Sequence, residues 1–448
     1  MTTISVIILA AGRGTRMKSD LPKVMHKIAG QEMLNMVIES ASKLNPREIS
    51  IVVSEEFTKF EQQIFTQNKE LHLSFVTQFD RKGTADAASI GYGALTKKAD
   101  KIVILYGDTP LIKEDTLHKM LNSIDDENCV CVLGFECQVA NQYGKLLIDR
   151  GGGLDKIIEH KDANEDEKQL RLCNSGVVAI NGNKFEEFLG KVTNDNAAGE
   201  FYLTDIVGIA RNSGLKCSYI VTSDENEVLG VNSREELAGV ESIKQDELRK
   251  KHMQAGVTLI DPKTIYFASD TKIGNDCVIH PNVVFGGGVE IASNVEVKSF
   301  SHIEGAKISS GAVIGPFARL RPDSDIGENA RIGNFVEVKN SSLGEGAKIN
   351  HLSYVGDSKV GKNSNIGAGV ITCNYDGYNK SATIIGEGVF VGSNSALIAP
   401  VNIGDGALIA AGSVVTKDVA VDDLVIARSA QRIIESGAKK FRNNKESK

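Results

Sequence analysis

Two hydrophobic periods divide this chain. Over roughly the first 230 residues, apolar runs at 6–10, 49–54, 74–78, 102–106, 129–135 and 176–180 alternate with amphipathic stretches such as 33–43. The runs read as strands and the stretches as helices. That alternation predicts an α/β domain with a mostly parallel sheet and helices on both faces. Ligands in such sheets sit beyond the carboxyl ends of strands. The stretches "AAGRGTR" and "YGDTP" fall at two such ends.

A different pattern follows. "NSREELAGVESIKQDELRKKHMQAG" opens on a capping box, Ser233 with Glu236, and carries a broken apolar stripe of Leu237, Val240, Ile243 and Leu248. It predicts one helix of about 20 residues, roughly 30 Å long, that links two domains. Beyond it the period becomes six. Ile273, Ile279, Phe285, Ile291, Val297 and Ile303 are in frame. Five-residue steps then carry the frame on through Ile308 to Val338 and through Leu343 to Ile366, and it resumes from Ile385 to Val415. Glycine often follows the aliphatic residue, as at Gly274, Gly315, Gly327, Gly333 and Gly386. This is the hexapeptide signature of a parallel β-helix, with the aliphatic residue pointing inward. The frame from Phe267 to Val415 predicts about eight triangular coils. It jumps by 13 residues between Thr372 and Ile385, so "CNYDGYNKSAT" contains an excursion out of the solenoid. The expected division is therefore 1–232, a helical linker 233–254, and a β-helix 255–448 with a basic tail.

Composition narrows the function classes. The net charge of -7 argues against a general nucleic-acid binder. No apolar segment is long enough to insert in a membrane. Seven cysteines, none in a CxxC pair, fit a reducing cytoplasm. The "CVC" at Cys129 and Cys131 predicts two thiols on one face of a strand, packed in the core.

The first glycine loop fits neither standard phosphate template. It lacks the Gly-Lys-Ser/Thr of a Walker loop, and Met17 stands where a dinucleotide fingerprint needs its third glycine. It offers backbone N–H groups at Gly12 and Gly14 and cations at Arg16 and Lys23, with a carboxylate at Asp108. Mg2+ bound between carboxylate and phosphate oxygens would suit Asp108. Nothing nearby looks like an activated Ser or Cys. That points to an already ionised nucleophile, such as a sugar phosphate attacking a nucleoside triphosphate.

The second half suggests acyl transfer. His351 follows an inward Ile349, and histidine titrates in the range that amine acylation needs. Arg321 and Lys339 both follow inward residues, one coil apart, so they should stack about 5 Å from each other. Such a pair calls for an anion, either a sugar phosphate or the carboxylate of Glu304 in the same column.

These motifs resemble known families. "GRGTRM" with "LPK" resembles the sugar nucleotidyltransferase signature, and the likeness continues through "QFDRKGTADA", "YGDTPL", "IIEHKDA", "CNSGVVA", "EFYLTD" and "VLGVNSREEL". Together with the hexapeptide half, nearly the whole chain resembles a bacterial bifunctional family. In it, N-acetylglucosamine-1-phosphate uridylyltransferase is fused to glucosamine-1-phosphate acetyltransferase, making UDP-N-acetylglucosamine for cell-wall synthesis. The resemblance implies a Rossmann-like α/β nucleotidyltransferase followed by a left-handed parallel β-helix. It implies Mg2+ on Asp108 and Asn232, with Arg16 and Lys23 on the triphosphate and sugar phosphate. Gln78, Gly83 and Thr84 would read uracil, and Gly12, Gly14 and Tyr106 belong to the same nucleotide and sugar site. Gly144, Glu159 and Asn174 would bind the N-acetylhexosamine. In the second half, His351 would be the general base, polarised by Glu337. Arg321 and Lys339 would hold the acceptor's phosphate, and Tyr354 and Asn365 its sugar. Asn374 and Tyr375 would lie by the reacting groups, and Ala368, Ser393, Ala411 and Arg428 against acetyl-CoA. The implied substrates are UTP, acetyl-CoA and the two sugar phosphates, and the implied assembly is a cytoplasmic homotrimer. Two positions depart from the family: Asp86 stands where His is usual, and Lys145 where Arg is common. The alternatives are a single-activity sugar-1-phosphate nucleotidyltransferase with a structural β-helix, and a non-enzymatic scaffold of the same folds.

Overall fold

A computed structural model describes residues 2–137 and 142–446. They form two compact units, Met1–Gln245 and Asp246–Lys448.

The first unit is built on nine strands: β1 (Ile4–Ala10), β2 (Ile49–Val53), β3 (Leu73–Thr77), β4 (Lys101–Tyr106), β5 (Asn128–Glu136), β6 (Lys145–Ile148), β7 (Leu154–Ile158), β8 (Leu172–Asn181) and β9 (Lys216–Val221). The main sheet runs β9-β5-β8-β4-β1-β2-β3. All its pairings are parallel except those of β8, which is antiparallel to both neighbours. The hairpin of β6 and β7 hangs from β8 through the pair Cys173–Lys145. Strands with both faces covered are apolar throughout rather than alternating. In β1, Val6, Ile8 and Ala10 enter one core and Ile7 and Leu9 the other.

The "CVC" expectation needs a correction. Cys129 packs in one core and Cys131 in the opposite one. The register between β5 and β9 shifts at Lys216, leaving Cys129 without an opposite residue. A bulge of this kind turns the following side chains over. Both thiols are fully buried, and none of the seven cysteines forms a disulfide.

The expected helix is present as Arg234–Gln254. Ser233 and Glu236 exchange hydrogen bonds as a capping box. Its first half is part of the first unit: Leu237, Val240 and Ile243 pack with Ile28, Met33, Met36, Leu111 and Val231. In the second unit, Arg249 Nε donates to the Ile265 carbonyl (3.0 Å) and His252 packs on Phe267.

The second unit is a three-faced parallel β-helix, with one face of ten strands and two of eight. Each inward residue pairs with its counterpart one coil on, such as Ile273 with Ile291, Ile291 with Ile308 and Ile308 with Ile326. Burying one such side chain contributes about 1.5–3 kcal/mol, so a slip of frame would be costly at every coil. The excursion leaves at Thr372 and the frame resumes where Ile385 pairs with Val360.

Corner residues adopt left-handed backbone. Most are Asn or Asp, among them Asn282, Asn294, Asn329 and Asn363, residues that tolerate that region. Phe300, Phe317, Phe335 and Leu352 do so as well, at a cost of about 1–2 kcal/mol each. The three rings stack at 4.9 and 5.1 Å, and all four side chains are exposed.

Two candidate active sites

In the first unit the glycine loop closes over Lys23. Gly14 has φ +59°, and a Cβ there would stand 2.7 Å from Lys23 Cβ. A Cβ on Gly12 would point at Lys23 Nζ, 3.9 Å away. Thus the two glycines let the backbone lie against this lysine. Its ammonium forms an ion pair with Asp108 and donates to Asn232 Oδ1 at 3.0 Å. Residues from three distant segments thereby meet at one cation. Two oxygens converge there, a donor set that suits a hard divalent ion completed by phosphate and water oxygens. Among the described residues there is no cluster of three or more His, Cys, Asp or Glu arranged for a metal.

A cavity of about 280 Å³ opens beside this point. It is lined by Gly12, Lys23, Gln78, Gly83, Thr84, Tyr106 and Asp108, with Arg81 and Glu200 also at its wall. Gly83 has φ +128°, and a Cβ there would collide with the Phe201 backbone at 2.4 Å. Thr84 Oγ1 accepts from the Leu203 N–H at 2.9 Å. These contacts bind "GTADA" to "EFYLTD". Arg81 and Glu200 lie within the stretches "QFDRKGTADA" and "EFYLTD" but carry no role assigned from the sequence.

Tyr106 lines this cavity and its ring lies against Gly176. Between Asn174 and Val178 the register of β8 against β5 shifts, and a Cβ on Gly176 would meet the Tyr106 ring at 2.7 Å. Asn174 Oδ1 accepts from the Gly176 N–H, and the Asn174 N–H donates to the Gly144 carbonyl (2.8 Å). Gly144 in turn lies against the Glu159 carboxylate, 3.4 Å from the position of an added Cβ. So Gly144, Glu159 and Asn174 do gather. Burial pushes the Glu159 carboxyl up, opposed by the Thr204 hydroxyl donating to it and reinforced by Asp162 and Asp205. Burial likewise pushes the Tyr106 phenol up, helped by the charges of Glu159 and Asp108. Arg16 is exposed on a short turn and does not line the cavity.

In the second unit, Arg321 and Lys339 follow paired residues Leu320 and Val338, and both line a cleft of about 830 Å³. Arg321 pairs with Glu337 at 2.8 Å, so Glu337, rather than Glu304, is the acid on this guanidinium. Lys380, Ser381 and Ala382 of the excursion complete the cleft. The excursion is held by the Ser381 N–H donating to the Asn374 carbonyl (2.9 Å). The Asn374 amide reaches Asp357 and the Tyr354 hydroxyl. Burial works to raise the Asp357 carboxyl. Hydrogen bonds from Asn340 and Asn374, with Lys339 and Lys380 nearby, outweigh it and hold the group below its usual range. Tyr375 is exposed and its hydroxyl donates to the Gly377 carbonyl within the excursion.

His351 requires a further correction. Glu337 was expected to polarise it, but that carboxylate is engaged with Arg321. Asn334, one coil earlier in register, holds His351 Nδ1 at 2.6 Å. An amide oxygen only accepts, so Nδ1 is the ring nitrogen that donates, and in the neutral imidazole Nε2 then carries the lone pair. His351 stands outside the cleft lining, three residues before Tyr354. Asn365 is one coil on from Lys348 in the same strand column. Ala368, Ser393, Ala411 and Arg428 lie along another corner. There the Ala368 carbonyl accepts from Asn394, the Ser393 carbonyl from Gly412, and Gly412 lies beside Arg428.

Comparison with known proteins matches both halves. The MobA-like NTP transferase domain matches residues 6–163. The bacterial transferase hexapeptide (six repeats) matches 270–305, and the GMPPB C-terminal domain 302–433. The Bifunctional protein GlmU of Paramagnetospirillum magneticum is 48% identical, over 98% of this chain and 96% of its own length. That of Zymomonas mobilis is 46% identical, over 99% and 98%. The chain belongs to the GlmU family. GlmU proteins are bifunctional, which accounts for two unlike sites on one polypeptide. Full-length likeness to GlmU sets aside the single-activity and scaffold alternatives. With the hexapeptide match, the three-faced coil is the left-handed β-helix expected.

Proposed function

We propose that this chain acetylates glucosamine-1-phosphate with acetyl-CoA and then transfers UMP from UTP to N-acetylglucosamine-1-phosphate, releasing pyrophosphate. The observation that carries this reading is convergence. Lys23, Asp108 and Asn232 meet at one point in the first unit. Arg321, Lys339 and Lys380 meet around one cleft in the second. Uridylyl transfer belongs to 1–232 and acetyl transfer to 255–448, with 233–254 as the linking helix.

For acetyl transfer, the cationic cleft holds the acceptor's phosphate. His351 Nε2 takes the proton from the sugar ammonium, and the freed amine attacks the thioester. The new C–N bond replaces the C–S bond, and CoA leaves. The corner column from Ala368 to Arg428 is the acetyl-CoA side of the site. For uridylyl transfer, the sugar phosphate oxygen attacks the α-phosphorus and pyrophosphate departs. Gln78, Gly83 and Thr84 hold the base. Gly144, Glu159 and Asn174 hold the sugar. Lys23 and Arg16 neutralise phosphate charge. Asp108 and Asn232 would hold Mg2+, which supplies charge neutralisation on the phosphates.

The test supplies purified protein with glucosamine-1-phosphate, acetyl-CoA, UTP and Mg2+. UDP-N-acetylglucosamine is expected only from the complete mixture. Its formation without acetyl-CoA, or release of CoA only when UTP is present, would sink the two-step order.

The assembly is a homotrimer. Exposed aromatic residues in left-handed backbone, stacked along one corner, are costly in a lone chain and make sense when covered by other copies. Phe317→Asp should convert a three-copy species into single chains by sedimentation, with uridylyl transfer retained. A trimer unchanged by that substitution would locate the interface elsewhere. No helix of the described residues is long and apolar enough to cross a membrane. UTP and acetyl-CoA as substrates, together with seven cysteines of which none forms a disulfide, support a cytoplasmic location.

A further inference from the structure

Gln78 is nearly fully buried at the wall of the nucleotide cavity. Its amide nitrogen donates to Asp86 Oδ2 at 2.7 Å and to the Gly83 carbonyl at 3.2 Å. Both partners are acceptors. Turning the amide over would set its oxygen against a carboxylate and a carbonyl at once, which is repulsive on both contacts. With both amide hydrogens engaged, Oε1 is what Gln78 has left to offer the cavity.

We infer that Asp86 is a positioning residue which locks the Gln78 amide in one orientation and thereby makes the nucleotide site select uracil over cytosine. The inference rests on the uridylyltransferase reading above. The chemistry is direct. Uracil carries an N–H at ring position 3, which an amide oxygen accepts. Cytosine carries a bare nitrogen there, which faces that oxygen as a second acceptor and leaves both unsatisfied. Asp86 sits on the first turn of the helix Thr84–Gly93, so its carboxylate is fixed by the same segment that brings Gly83 to the cavity. Gly83 alone accepts from the amide at the longer distance, which leaves the carboxylate as the stronger determinant.

The experiment measures kcat/KM for UTP and for CTP with N-acetylglucosamine-1-phosphate and Mg2+, using the full-length chain. Asp86→Ala is expected to lower the UTP-to-CTP ratio about tenfold or more, the effect of one base-edge hydrogen bond no longer enforced. The loss should appear as a higher KM for UTP and a gained rate with CTP. Asp86→Asn, which can turn its own oxygen toward Gln78, should keep the ratio within about twofold of the parent. If Asp86→Ala fails to fold, Asp86→Ser replaces it, since its hydroxyl is too short to reach the amide. An unchanged ratio in an active Asp86→Ala or Asp86→Ser enzyme overturns the inference alone. So does an Asp86→Asn ratio that falls as far as that of Asp86→Ala. A parent enzyme that releases no pyrophosphate from UTP overturns the uridylyltransferase reading, and this inference with it.

Discussion

His351→Ala is expected to slow CoA release by about 10²–10⁴-fold, the usual contribution of a positioned general base, while pyrophosphate release from UTP and N-acetylglucosamine-1-phosphate keeps its rate. The direction follows from the tautomer. Asn334 Oδ1 accepts from Nδ1–H, so in the neutral ring Nε2 is the one basic atom that the imidazole presents. Asn334→Ala should therefore produce a weaker version of the same defect, because a ring without that partner spends part of its time in the wrong tautomer. The assay is release of free thiol at saturating acetyl-CoA. Raising the pH should restore part of the His351→Ala rate, since a larger fraction of the amine is then already deprotonated. A variant as fast as its parent at neutral pH would remove His351 from the mechanism.

Asp108→Asn is expected to reduce pyrophosphate release at least about 10²-fold, comparable to losing one preorganised electrostatic contact, with CoA release untouched. Asparagine keeps an oxygen for Lys23, so the knot that joins the glycine loop to Asn232 persists and the unit should fold. What is lost is the anionic charge, the part a divalent cation needs. The measurement is pyrophosphate release across a Mg2+ titration, with the variant needing more metal at every level of rate. Equal metal dependence in parent and variant would take Asp108 out of the proposed metal site. Loss of CoA release as well would contradict two independently working sites.

Much of the fold could be read from the chain because burial imposes periods. The six-residue frame marks the inward residues of the β-helix, and β1, β2 and β4 announce themselves as apolar runs covered on both faces. β9 (KCSYIV) and the hairpin of β6 and β7 did not. They are short and half-exposed, and they are placed by neighbours rather than by their own pattern. Cys129 was misplaced because a bulge leaves no trace in a two-residue alternation. The site partners divide along the same line. Arg321 and Lys339 were located by counting one coil. The same count applied to His351 would have led to Asn334 and not to Glu337, whose register partner is Tyr354. Lys380 escaped because the excursion obeys no frame. Arg81 and Glu200 lie inside motif stretches, but that both line one cavity follows from loop packing, which brings together segments more than a hundred residues apart.

The excursion at Thr372 carries a wider consequence. A solenoid has only nearest-neighbour contacts between coils, and the strand after the insertion, Thr383–Ile385, pairs with Ser358–Val360 one coil earlier without loss of register. Location along such a structure works as an address reckoned in turns. A new segment can be hung at one corner while every other address keeps its meaning. An insertion of the same length inside the first unit's sheet would have no comparable immunity, because β4 there pairs with both β1 and β8, strands far from it in the chain. The second unit is in that sense the more revisable half of the molecule.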